Sequence, residues 1–272
     1  MDAELIETEY IKSLFKEYPL ANNLLDQVIE FYGRSLTIRR SAMADDRSRY
    51  TLNIDAQHLK FNGAVINLDT STDRQAAAAC HELLHLQLPI RNFPRIRSLK
   101  LNSFQETVSL RIVSSQISAT NVIDHDIFKD EFVKLGFPLG QFLVASPENI
   151  NYKKVARDAR DQTIPPQLNF VNWNWWCIEY LRHHLSTTHG LKQSESLADK
   201  VAKWGVEAVP GFKSGMARIR EWISEGQHRQ PTTYPVAIQK LFDIIQIPKI
   251  SGFCCLELGG ERQIVVRSLA AQ

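Results

Sequence analysis

The residues of this sequence that indicate chemistry by type and spacing are two histidines and a glutamate in the segment His81-Glu82-Leu83-Leu84-His85. Two histidines four residues apart project from the same face of a helix, one turn apart, so both imidazoles can reach one metal ion. Glu82 follows the first histidine, where its carboxylate can hold or deprotonate a metal-bound water. The segment therefore predicts a hydrolytic metal centre, with zinc as the metal.

A competing interpretation is a helix whose histidines only make hydrogen bonds in the protein core. With 8 histidines in 272 residues, the bare pattern arises by chance in roughly one such chain in a hundred. Between Gln75 and Pro89 the only charged side chain is Glu82. A carboxylate and two imidazoles on a buried helix are costly unless they are paired or bound to metal, so we favour the metal centre.

Three strands are predicted to support this helix. Residues 64–68 form a short apolar run directly ahead of it, and residues 35–39 and 50–54 have the same character. A polar turn at residues 44–48 is expected to join the latter two strands. The prediction is a small antiparallel sheet packed on the motif helix.

The rest of the sequence is predicted to be mostly helical. Apolar residues at helical spacing predict helices over 4–16, 20–32, 98–121, 124–137, 167–188, 193–206, 211–225 and 235–246. Strands at 252–257 and 262–267 are expected to form a C-terminal hairpin. The polar stretch 146–166 predicts a boundary between a domain over 1–145 and a mostly helical region over 146–272, which can equally belong to the same domain. The predicted fold class is α+β, mostly α-helical.

A catalytic zinc usually takes three protein ligands and leaves a fourth position for water. His125 is our first candidate for the third ligand, since imidazole is a common zinc ligand. Glu106 is the alternative, because it falls on an apolar stripe of its predicted helix and is expected to point inward. Asp124 is a third candidate, either as a ligand or as a partner that orients His125.

Composition excludes several classes of protein. The formal net charge is +2, and no basic cluster is interleaved with aromatic residues, so no nucleic-acid partner is expected. The first residues are acidic and lack the apolar core of a signal peptide, and no uncharged apolar run approaches 18 residues. The four cysteines show neither zinc-type spacing nor a disulfide framework. We expect a cytoplasmic protein that does not associate with membranes.

The segment His81-Glu82-Leu83-Leu84-His85 and its surroundings, roughly residues 35–136, resemble the zincin superfamily of zinc metallopeptidases. The resemblance implies that His81 and His85 bind zinc and that Glu82 is the general base. It also implies that an edge strand at about 64–68 binds the substrate. Glu106 would suit the branch of the superfamily whose third ligand is a glutamate on the next helix.

The sequence departs from the better-defined zincin branches. Residues 86–91 supply neither the glycine nor the third close histidine of one branch, and no acidic motif surrounds Glu106 as in another. The subfamily is therefore not assigned, and the resemblance does not extend beyond about residue 146. The leading hypothesis is a zinc-dependent peptidase acting on a peptide or protein substrate. The alternatives are a non-catalytic, zinc-stabilised protein-interaction module and a helical protein without a metal.

Overall fold

The structure of the protein is a computed structural model. It describes residues 3–41, 49–55, 60–70, 73–98, 106–142, 150–161, 169–187, 192–247, 253–258 and 264–269.

Ten α-helices lie in this part of the chain. They are α1 (Ala3–Leu14), α2 (Pro19–Tyr32), α3 (Gln75–Ile90), α4 (Glu106–Lys134), α5 (Leu139–Phe142), α6 (Tyr152–Asp161), α7 (Asn169–Thr187), α8 (Lys192–Ala208), α9 (Phe212–Glu225) and α10 (Tyr234–Ile244). The predicted helices that correspond to α1, α2 and α7 to α10 are confirmed to within two residues at each end. The mostly helical α+β fold is thereby confirmed.

The first sheet contains three strands, β1 (Leu36–Ser41), β2 (Arg49–Asp55) and β3 (Lys60–Asp69). Strand β3 is central, with β1 parallel to it on one side and β2 antiparallel on the other. Along β3 the buried side chains of Ala64, Ile66 and Leu68 alternate with less buried ones. This period of two gives the sheet one apolar face, and α3 packs against both β2 and β3.

The arrangement of these strands corrects two predictions. The sheet is mixed, not antiparallel, and the strands expected to pair across the turn at 44–48 lie on opposite sides of β3. The predicted strand at 64–68 belongs to the central strand, so it is not an edge, and β1 and β2 are the outer strands of this sheet. The physical reason is connection length: only residues 56–59 join β2 to β3, which favours a hairpin between them and leaves β1 the other side of β3.

A second sheet joins distant parts of the chain. Strand β4 (Arg95–Ser98) pairs with β5 (Phe253–Leu258), which pairs in turn with β6 (Ile264–Leu269), and both pairings are antiparallel. The predicted C-terminal hairpin is thereby confirmed, and the structure adds β4 to it.

Helix α4 differs most from the prediction. It runs without a break for 29 residues from Glu106 to Lys134. Asp124 and His125 therefore lie within a helix and do not open a new one. Of the predicted helix 98–121, residues 106–121 are helical, residue 98 belongs instead to β4 (Arg95–Ser98), and residues 99–105 lie outside the described part of the chain. Helix α6 also occupies part of the stretch 146–166 that we expected to be a boundary.

The chain divides into two compact units. The first contains residues 1–99, 127–146 and 253–270, and the second contains residues 100–126, 147–252 and 271–272. One transition falls at residue 146, next to the predicted domain boundary. The division also places residues 253–270 with the first unit and passes through α4 after Asp126. In the described part of the chain, no helix combines the length and the apolar character that crossing a bilayer requires.

Candidate metal centre

Helix α3, which carries the motif, is held near both ends by tyrosines. Tyr10 of α1 donates a hydrogen bond to the side-chain oxygen of Gln75, and the amide nitrogen of Gln75 donates to the carbonyl oxygen of Thr70 at 2.9 Å. Tyr32 of α2 donates to the carbonyl oxygen of Leu86 at 3.0 Å. These contacts fix the position of the helix on which the motif side chains stand.

Three histidines meet at this helix. One ligand atom of each of His81, His85 and His125 lies within 4.8 Å of the others. His85 is buried, whereas His81 and His125 are half-buried, so the group remains partly accessible. The two motif imidazoles lie one helical turn apart, with ring centroids 5.1 Å from each other. The structure thus brings His125 together with the motif pair.

The spacing of these three histidines is one that could hold a metal ion. Zinc binds imidazole nitrogens at about 2.0–2.1 Å, and tetrahedral geometry then holds neighbouring ligand atoms roughly 3.3 Å apart. From separations of at most 4.8 Å, movements of roughly 1.5 Å close the group around the ion, which side-chain rotations can supply. Three neutral imidazoles with a fourth position for water are the donor set of some catalytic zinc sites.

Glu82 is the acidic residue of the site. Its side chain is 6 % exposed, and its carboxylate accepts a hydrogen bond from the backbone N–H of Tyr50 on β2. Burial raises the pKa of Glu82 to about 8, and the hydrogen bond from Tyr50 opposes part of that rise. A nearby cation favours the ionised carboxylate, so a metal ion at the histidines would lower this pKa.

Aromatic rings surround the two motif imidazoles. The ring of His81 lies 5.0 Å from that of Phe142 and 5.7 Å from that of Phe128. The ring of His85 lies between Tyr50, stacked at 4.3 Å and 20°, and Phe128, edge-on at 4.7 Å and 84°. These rings restrict rotation of the imidazoles and lower the local dielectric constant.

Sequence reasoning missed the aromatic surroundings, although part of the signal is visible. Phe128 follows His125 by three residues, which places both on one face of α4. No comparable signal identifies Tyr50, because its contact with His85 depends on how β2 pairs and on how the sheet packs against α3.

The other two candidates for the third ligand lie elsewhere. Glu106 is the first residue of α4, and its side chain is not described. It precedes His125 by 19 residues (125 − 106) on one helix, a rise of roughly 28 Å. His125 and Glu106 are therefore mutually exclusive as ligands of one ion. Asp124 is fully buried, and its carboxylate accepts a hydrogen bond from the hydroxyl of Tyr234 at 3.4 Å.

His183 of α7 does not belong to this group of three histidines. Its Nε2 lies 2.9 Å from the hydroxyl of Tyr152 and 3.5 Å from the carboxylate of Glu179. The Tyr152 hydroxyl donates to the same carboxylate at 3.1 Å. All three side chains are buried, and the network ties α6 to α7 within the second unit.

Comparison with known proteins does not assign the chain to a family. No protein-family model, no curated protein and no solved structure matches the chain significantly.

Proposed function

We propose that this protein is a zinc-dependent peptidase, with zinc held by His81, His85 and His125 and with Glu82 as the general base. The observation that carries the proposal is the grouping of three imidazoles within 4.8 Å, two of them on the helix that also carries Glu82. The choice of zinc is supported by the all-nitrogen donor set. The choice of a peptide substrate is supported by the resemblance of the motif to zincins.

The residues of the chain have distinct tasks in this reaction. A zinc ion held by His81, His85 and His125 would supply a Lewis acid that polarises the scissile carbonyl and lowers the pKa of a bound water toward ~7. Glu82 would accept a proton from the attacking water as the water oxygen forms its bond to the carbonyl carbon. Glu82 then passes the proton to the leaving nitrogen as the C–N bond breaks, so the carboxylate is regenerated. The burial of Glu82 limits competition from bulk water for this proton.

Metal analysis tests the ligand set. The purified protein is supplied with zinc, dialysed and analysed for bound metal by mass spectrometry. Wild type is expected to hold about one zinc ion per chain, and His81→Ala, His85→Ala and His125→Ala are each expected to lose it. The matched control is His184→Ala on α7, which removes an imidazole outside the group and retains the metal. A wild type that binds no zinc would refute the proposal.

Hydrolysis tests the catalytic assignment. The protein is incubated with a peptide library, and cleavage products are identified by mass spectrometry. Glu82→Gln is expected to retain zinc and to lose at least ~100-fold in turnover, because a positioned acid–base group contributes about that much or more. The control is Glu131→Gln, which neutralises a half-buried carboxylate that acts electrostatically on the neighbouring Cys80. Equal turnover in Glu82→Gln and wild type would exclude this residue as the base.

One outcome separates the leading proposal from the zinc-stabilised interaction module. If zinc is bound by the three histidines while no peptide of the library is cleaved, the metal has a structural role. Removal of zinc should then lower the free energy of unfolding, and Glu82→Gln should leave the binding of a partner protein unchanged.

A further inference from the structure

Tyr50 lies on an outer strand with its side chain toward the motif helix. Among the described residues, strand β2 pairs with β3 alone, and Tyr50 stands opposite Ile66 of β3. Side chains alternate along a strand, so Tyr50 shares a face with Leu52 and not with Thr51. Leu52 is buried and Thr51 is exposed. The face that carries Tyr50 is therefore the inner face, which packs against α3.

The ring of Tyr50 restricts the orientation of the His85 imidazole. It stacks on the ring of His85 at 4.3 Å and 20°, while Phe128 meets that imidazole edge-on at 84°. An imidazole held on its face and on its edge has little freedom to rotate. The direction of its ligand nitrogen is then set before any metal binds.

The backbone of Tyr50 contacts the carboxylate of Glu82. Its N–H donates a hydrogen bond to the carboxylate of Glu82. An ionised carboxylate has two oxygens with about four acceptor positions, so one donated hydrogen bond fixes the rotamer and leaves capacity to accept a proton from water. One residue of β2 thus contacts both a proposed ligand and the proposed base.

We propose that Tyr50 is a positioning residue of the metal centre, with its ring orienting His85 and its backbone N–H orienting Glu82. This inference rests on the proposed function, because it assumes that His85 binds the metal and that Glu82 acts on metal-bound water. It predicts two separable effects: the ring governs metal affinity, and the N–H governs turnover.

The role of the ring is tested by zinc affinity, measured on the purified protein by competition with a chromophoric chelator. Tyr50→Ala is expected to weaken zinc binding by about 10- to 100-fold, the usual effect of removing a group that orients a metal ligand. Tyr50→Phe keeps the ring and is expected to restore affinity to within about twofold of wild type. The control is Trp204→Ala, which removes a half-buried aromatic ring of α8 outside the histidine group and should leave zinc affinity unchanged.

The role of the N–H is tested by comparing Tyr50→Pro with Tyr50→Ala. Both variants lack the ring, but only proline also lacks the N–H, and an outer strand tolerates proline where the N–H does not face its partner strand. The two variants are expected to bind zinc alike. With both saturated by zinc, kcat for a cleaved peptide should be lower by roughly tenfold or more in Tyr50→Pro, with KM unchanged.

The outcomes distinguish this inference from the proposed function. If wild type binds no zinc, the proposed function fails and the inference fails with it. If wild type binds zinc and Tyr50→Ala binds it equally well, the orienting role of the ring is refuted while the proposed metal centre stands. If folded Tyr50→Pro matches Tyr50→Ala in kcat, the role of the N–H is refuted. Should Tyr50→Pro fail to fold, the comparison of Tyr50→Ala, Tyr50→Phe and Trp204→Ala still decides the role of the ring.

Discussion

At the scale of single residues, the structure shows how a buried charge is made tolerable in the second unit. Glu179 is 5 % exposed, and its carboxylate faces the Tyr152 hydroxyl, His183 and, at 3.7 Å, the guanidinium of Arg182. Burial alone raises the pKa of a carboxyl group. Here the hydrogen bond from His183 and the charge of Arg182 outweigh burial, so the pKa of Glu179 is lowered from its ordinary value of 4.5.

This lowered pKa predicts the pH dependence of stability. A carboxyl group with a lower pKa in the folded state stabilises the protein above the pKa of the unfolded state. That contribution is lost as pH falls below about 4.5 and through the folded-state pKa. Glu179→Gln is therefore expected to lower the free energy of unfolding by about 1–3 kcal/mol at pH 7. The difference from wild type should shrink steadily in urea titrations carried out below pH 4.5.

The control for this prediction is Glu221→Gln, which changes an exposed glutamate of α9. It should match wild type across the pH range. A Glu179→Gln variant whose deficit in the free energy of unfolding is the same at pH 7 and at pH 3 would show that ionisation of this carboxyl group does not stabilise the fold.

At the scale of elements, the uninterrupted helix α4 places His125 in a helix interior. Residues three apart lie on one face of a helix, so His125 and Phe128 face in the same direction, and Phe128 contacts both motif imidazoles. Had the helix started at Asp124, as the sequence suggested, His125 would stand in its frayed first turn. A position in the interior of a 29-residue helix holds the imidazole more rigidly.

Strand β3 depends on a glycine at one position. Gly63 has a φ of +121°, and a Cβ atom there would lie 2.8 Å from the backbone carbonyl oxygen of Ser35. The strained φ and the contact with backbone both oppose any side chain. Gly63→Ala is expected to lower the free energy of unfolding by about 1–3 kcal/mol, measured by urea denaturation.

Gly140→Ala is the matched control for this substitution. Gly140 lies in the short helix α5, and a Cβ atom there meets nothing within 4 Å. The free energy of unfolding of Gly140→Ala should equal or slightly exceed that of wild type, since alanine favours the helical conformation. If Gly63→Ala were as stable as Gly140→Ala, the strand would not require glycine at position 63.

At the scale of the whole molecule, zinc binding is expected to stabilise the native fold. A ligand that binds only the folded state adds RT ln(1 + [L]/Kd), about 2.7 kcal/mol at a free concentration of 100 times Kd. The Tm of wild type should therefore rise with added zinc and fall with a chelator. His81→Ala should show no such rise, whereas His184→Ala should respond like wild type. An identical zinc-dependent rise in His81→Ala would indicate that zinc binds elsewhere.

The sequence alone was sufficient for the local features. Helical spacing predicted α2 and α7 to α10 within two residues, because amphipathic periodicity and glycine stops act over short distances. It also predicted that two histidines and a glutamate share one helix, since a separation of four residues places two side chains on one face wherever that helix lies.

Features that depend on distant contacts were decided only by the tertiary structure. Alternation along a strand indicates which side chains share a face but not which strands are neighbours. The antiparallel sheet predicted from the sequence was therefore wrong, and the mixed order β1-β3-β2 emerged only from the tertiary structure. The sequence likewise left His125 and Glu106 both open as third ligand. The structure places His125 with the motif histidines because α4 continues through residue 125 and packing brings its side chain within 4.8 Å of theirs. No local pattern encodes such a distance, because it is set by how elements remote in sequence pack together.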